Sequence, residues 1–118
     1  IQNILNFKLD YPEYKTYKLE QNYRSTKTIV EAANSIIKKN EKQIKKNVWT
    51  NNKEGDKIII AKTGSDNDEG KLVANTISDI KTRYQYQYKD FAILYRTNAQ
   101  SRAIEESLRK RNIPYKIP

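Results

Sequence analysis

DFAILYRTNAQSR, residues 90–102, passes from an unbroken apolar run, Phe91 to Tyr95, through a polar turn into a helical pattern. A short continuous apolar run bounded by turn residues predicts a strand buried on both faces. The following NAQSRAIEESLRKRN, residues 98–112, turns Ala103, Ile104 and Leu108 inward and spaces Glu105 and Arg109 as an i,i+4 pair. Strand followed directly by helix, with no hairpin signal between, is the unit from which a parallel sheet is built.

The same unit recurs on either side. YKTYKLE, residues 14–20, reads as a short strand ending near Leu19. STKTIVEAANSIIKKN, residues 25–40, then reads as a helix with Ser25 as N-cap and Ile29, Val30, Ala33, Ile36 and Ile37 on one face. DKIIIAKT, residues 56–63, predicts a buried β-branched strand. SDNDEGKLVANTISDIKTRY, residues 65–84, predicts a second helix with acids in its first turn and Leu72, Val73, Thr76, Ile77 and Ile80 along a stripe, despite Gly70. IPYKIP, residues 113–118, has the composition to open a fourth strand. The order β-α-β-α-β-α-β predicts an α/β fold, a mostly parallel sheet flanked by helices, and 118 residues suit one such domain. In open parallel sheets ligands sit at the carboxyl ends of the strands. QNYRS, residues 21–25, and YRTNAQSR, residues 95–102, both fall at such ends and predict two sites on one edge.

The chain has neither cysteine nor histidine, which excludes disulfides, thiol nucleophiles, imidazole bases and the common zinc sites. Lysine and arginine outnumber the acids 23 to 14, and the resulting +9 favours polyanions, nucleic acid or nucleotide first. A lysine-rich solvated surface explains the same charge. No apolar run approaches the length of a membrane span, and IQNILNFKLD, residues 1–10, has no secretory pattern, so a cytoplasmic protein is expected. The absence of methionine fits a segment of a longer parent.

Arg24 carries a permanent, forked charge suited to phosphate oxygens, and its place ahead of a helix N-terminus sets amide donors nearby. Tyr23 beside it offers a ring on which a base can stack. The structural alternative has Tyr23 covering the core edge and Arg24 paired with a neighbouring acid. Arg96, Asn98, Ser101 and Arg102 are all able to contact phosphate or sugar. Their alternative is local: Thr97 with Gln100 as a capping box and Arg102 paired with Glu106. The lysines of KKNEKQIKK, residues 38–46, read as a solvated helix end, the tyrosines at 84, 86 and 88 as loop packing, and Trp49 as packed. No GxxxxGK[ST] loop occurs, nor a DExx carboxylate pair after a strand for magnesium, so the segment cannot assemble phosphoryl-transfer chemistry alone.

LEQNYRST, AAN at 32–34, VWTNN, DFAILYRTNAQSR, EESL and IPYKI, in this order, resemble the superfamily I DNA helicases of the UvrD/PcrA/Rep type, over nearly the whole chain. The resemblance implies a partial RecA-like, P-loop NTPase-type domain. Residues 1–118 would form the first part of the second motor domain, with 1–13 as lead-in from the preceding one. QNYRS resembles motif IV, which implies that Tyr23 packs on the adenine and that the catalytic Arg24 reaches the γ-phosphate across the interdomain cleft. YRTNAQSR resembles motif IVa, which implies that Arg96, Asn98, Ser101 and Arg102 face single-stranded DNA. The resemblance also implies an ATP-dependent 3′ to 5′ DNA helicase of repair or replication, using ATP and Mg2+ in the parent. The isolated segment is expected to bind neither and to be inactive. The implied partners are single-stranded and duplex DNA and the remaining helicase domains, with no membrane. The alternative is a stand-alone basic α/β module that binds nucleic acid without ATPase activity.

Overall fold

The computed structural model describes residues 2–40 and 46–118, which divide into two compact units, Ile1–Ile59 and Ile60–Pro118. In the first unit, α1 (Gln2–Asp10) occupies the predicted lead-in, and Phe7 and Tyr11, one turn apart, stack with ring centroids 4.6 Å apart. Helix α2 (Lys27–Ile37) starts one residue later than its sequence suggests. Thr26, not Ser25, is the N-cap, and its side chain makes no capping bond.

The cap comes from elsewhere in the chain. The Lys27 and Thr28 amides donate to the carbonyls of Lys53 and Glu54 at 2.9 and 3.0 Å, and the Thr28 hydroxyl donates to Glu54 at 2.6 Å. Two of the orphan donors that every helix start presents are thereby satisfied. Of the predicted apolar face only Val30 is fully buried, while Ile29, Ile36 and Ile37 stay exposed. Polar side chains supply much of the unit's cohesion instead. The Asn34 carboxamide brackets Val48, donating to its carbonyl at 2.7 Å and accepting from its amide at 3.3 Å. Of the lysine-rich stretch, residues 41–45 lie outside the described residues.

In the second unit, α3 (Asp66–Tyr84) begins where the acids predict. Ser65 caps it, accepting from the Asp68 amide, and Asp66, Asp68 and Glu69 occupy the first turn. The buried stripe differs from the predicted one: Gly70, Ala74 and Ile77 face inward, and Leu72 is exposed. Helix α4 (Asn98–Lys110) packs on it, burying Ala103, Ile104, Ser107 and Leu108. Past α4 the chain reverses through Asn112 at φ 56, with Asn112 donating to the Arg109 carbonyl at 3.0 Å and Ile113 to that of Leu108 at 2.9 Å. This is a Schellman closure, and its usual apolar contact is present, because Ile113 joins Leu108, Ile104, Ile77 and Ala74 in the core.

The expected mostly parallel sheet is not there: the described residues contain no strand, and the fold is helical. One isolated parallel bridge, Gln21 with Trp49, is the extent of strand-like pairing among them. Residues 15–19, 57–62, 91–95 and 113–118 belong to no strand. Ile59 is 88% and Leu94 96% exposed, the reverse of the burial predicted for their runs. An apolar β-branched run records a preference for burial and extension, but a strand exists only through bonds to a neighbour in register. Periodicity in one segment cannot supply that neighbour. Residues 113–118 begin with a residue bound into the α4 closure.

Candidate functional site

The turn between the Gln21 bridge and α2 carries Tyr23 and Arg24. Asn22 organises it locally, its carboxamide oxygen accepting from the amides of Arg24 at 2.9 Å and Ser25 at 2.7 Å. Such an Asx arrangement lets a side chain replace a backbone turn partner. The bridge anchors the turn's start: Trp49 donates to the Glu20 carbonyl at 2.8 Å, and Asn22 donates to that of Trp49 at 2.7 Å.

Tyr23 does not cover a core edge. It is 79% exposed, and its hydroxyl donates to Gln21 Oε1 at 2.8 Å. Arg24 is also exposed, and no acid among the described residues pairs with it. A free forked cation beside an open aromatic face suits a ligand with a phosphate and a base. The helix start contributes less than its position suggests, because its Lys27 and Thr28 amides already serve Lys53 and Glu54.

The second group of predicted residues lies at the start of α4. Thr97 and Gln100 form a reciprocal capping box: Thr97 Oγ1 accepts from the Gln100 amide at 3.3 Å, and Gln100 Oε1 accepts from the Thr97 amide at 3.1 Å. The Arg96 amide donates to the same Oε1 at 3.1 Å, so the backbone on both sides of the turn is fixed. Arg96, Asn98 and Arg102 are exposed and Ser101 is half-buried. Arg102 does not pair with Glu106, which binds Lys110 at 3.3 Å. Nor do Glu105 and Arg109 pair directly. Arg109 Nε donates to the Tyr115 hydroxyl at 3.1 Å, and this bond first, then the nearby acids, raises its pKa above the ordinary arginine value.

Two cavities among the described residues leave out Tyr23 and Arg24. An apolar groove of about 630 Å3 in the second unit, walled by Phe91, Ile93, Ile104, Leu108 and Tyr115, reaches only Ser101 among the predicted residues. A cleft of about 360 Å3 in the first unit lies between α2 and Trp49. Of the tyrosines read as loop packing, Tyr84 and Tyr86 stack at 5.8 Å, Tyr86 meets Phe91 edge-on, and Lys81 sits 4.7 Å from the Tyr88 ring centroid. Among the described residues no group of three or more acids forms a metal site.

Sequence reasoning missed one group at the first site. Asn52 Nδ2 donates to the carbonyls of Tyr23 at 3.2 Å and Ser25 at 2.9 Å. The only signal was the polar pair Asn51–Asn52 after Trp49, and nothing local shows that one of them reaches back to the turn.

A family model for the UvrD-like helicase C-terminal domain matches residues 17–118. The ATP-dependent DNA helicase PcrA of Leuconostoc citreum is 47% identical over 117 residues, covering 99% of this chain. The proteins of the same name from Staphylococcus aureus (strain Mu50) and Staphylococcus epidermidis are 51% and 52% identical over 115 residues, 98% of the chain. The chain spans 16% of the length of each of these relatives.

Proposed function

Because the chain belongs to the UvrD-like helicase C-terminal domain family, we propose that Tyr23 and Arg24 are its contribution to an ATP site and that Arg96, Asn98, Ser101 and Arg102 are its contribution to a single-stranded DNA track. On this reading the parent is a cytoplasmic ATP-dependent helicase, moving 3′ to 5′ on DNA in repair or replication. Residues 1–118 form the first part of its second motor domain, with 1–13 as lead-in. The relatives are named ATP-dependent DNA helicases, which supports the ATP dependence and the DNA, and no helix among the described residues is long and apolar enough to cross a membrane.

The observation that carries the nucleotide site is the exposed guanidinium of Arg24, with no acid partner among the described residues, beside the exposed ring of Tyr23. Tyr23 binds the base by stacking and orients the nucleotide. Arg24 stabilises negative charge that grows on the transferring phosphoryl group, the part an arginine finger plays when a second domain closes on it. ATP supplies the reactive phosphoanhydride, and Mg2+ offsets its charge. No residue of this chain is assigned to the metal. With no phosphate-binding loop in the sequence, the isolated segment is assigned no hydrolysis of its own.

In the full-length parent, Arg24→Ala should lower kcat for ATP by roughly a thousandfold with folding intact. Tyr23→Ala should chiefly raise KM for ATP. Unchanged steady-state hydrolysis in the Arg24 variant rejects the assignment.

A further inference from the structure

Arg24 lies at the centre of a clamp made by two asparagines distant in sequence. From one side Asn22 Oδ1 accepts from the amides of Arg24 and Ser25 at 2.9 and 2.7 Å. From the other, Asn52 Nδ2 donates to the carbonyls of Tyr23 and Ser25, the residues flanking Arg24, at 3.2 and 2.9 Å. The peptide groups on both sides of Arg24 are therefore held, which fixes the direction in which its Cα–Cβ bond leaves the backbone. Its side chain remains exposed, with no acid partner among the described residues.

Asn52 is itself held in place. Its amide donates to Thr50 Oγ1 at 3.1 Å, and that hydroxyl donates to the Ser25 carbonyl at 3.4 Å, from a threonine that is buried. Thr50 adjoins Trp49, whose amide and carbonyl make the bridge to Glu20 and Asn22. The segment 49–52 thus touches the turn at its start and on both sides of Arg24. A carboxamide is suited to this place because its NH2 group has two donors to share between two carbonyls. A carboxylate of the same shape has none.

We propose that Asn52 is a positioning residue for Arg24: it presets the backbone from which the guanidinium reaches the terminal phosphate, so that the cation arrives in the productive direction. The inference rests on the ATP-site reading given above. It follows from the steepness of catalysis with geometry, since a misplacement of about 1 Å can cost roughly a hundredfold in rate. A long, exposed side chain on an unclamped turn would also lose more conformational entropy on engaging its ligand.

The test is a double-mutant cycle on ATP hydrolysis in the full-length parent with saturating single-stranded DNA. Asn52→Ala should lower kcat by roughly ten- to a hundredfold, and Asn52→Asp, which keeps the shape and removes the donors, should do the same. On an Arg24→Ala background, adding Asn52→Ala should cost less than twofold more, because the clamp then has no cation to aim. A role in general stability would instead lower kcat by one common factor in both backgrounds, together with the melting temperature. That result, or a wild-type kcat in both Asn52 variants while Arg24→Ala is slow, overturns the inference and leaves the ATP-site reading standing. An Arg24→Ala enzyme as fast as wild type overturns both.

Discussion

A β-carbon on Gly70 would lie 2.6 Å from the carbonyl oxygen of Ala103 and 2.7 Å from Ser107 Oγ, so α3 and α4 approach at a point that only glycine admits. Gly70 looks like a defect in its helix when read along the sequence, since glycine costs about 1 kcal/mol against alanine there. Gly70→Ala should nonetheless destabilise the second unit. The obstacle is backbone, which cannot swing aside, and overpacking of about 1–3 kcal/mol outweighs the ~1 kcal/mol of regained helix propensity. Urea unfolding followed by helical circular dichroism should show a lower midpoint, and an unchanged or higher midpoint would mean that the helices have room to separate.

Gly55 performs a different task at φ +77, where a Cβ would stand 2.5 Å from Thr26 Cγ2. The turn at Gly55 follows the carbonyls of Lys53 and Glu54 that cap α2. Gly55→Ala should cost about 1–3 kcal/mol through left-handed strain and the clash together. The local signature is more telling than the total. Hydrogen exchange at the amides of Lys27 and Thr28 should accelerate, while the α3 and α4 amides keep their protection.

Thr97 tests whether the start of α4 depends on its own cap. Both arms of the box with Gln100 are formed, so Thr97→Ala should lower stability by about 1 kcal/mol. Thr97→Ser, which keeps the hydroxyl, should restore most of it. A denaturant titration of the two variants against wild type measures the difference.

The helices were legible in the sequence because their signals are local. Acids after Ser65 mark the start of α3, Thr97 and Gln100 mark the start of α4, and Ala103, Ile104 and Leu108 mark its inner face. The sheet was misread because Ile58–Ile60 and Phe91–Tyr95 show extension and apolarity without showing a partner, and a ladder is a property of pairs. Helix α1 has no acid in its first turn to mark its start. At the candidate site, Tyr23 and Arg24 stood out as an aromatic and a cation at a junction. The clamp did not, because Asn52 acts on residues 27 and 29 positions earlier in the chain, and an asparagine after a tryptophan carries no mark of its target. Capping of α2 by Lys53 and Glu54 was hidden for the same reason.

Arg96 and Asn98 are both exposed near the start of α4, yet they should fail in distinguishable ways if the DNA reading is right. Arg96 is a permanent charge, and a phosphate contact through it releases a counterion. Arg96→Ala in the parent should therefore weaken single-strand binding across sequences and flatten the dependence of log K on log salt by about 0.7–1. Asn98 is neutral and releases none, so Asn98→Ala should lower affinity at every salt concentration while leaving the slope unchanged. The capping box uses neither side chain, and both variants should unfold at the wild-type midpoint. Fluorescence anisotropy with a labelled oligonucleotide at several salt concentrations separates the cases. Equal affinity and equal slope for either variant removes that residue from the track, whereas a lowered unfolding midpoint for Asn98→Ala would assign it a structural part in α4 instead.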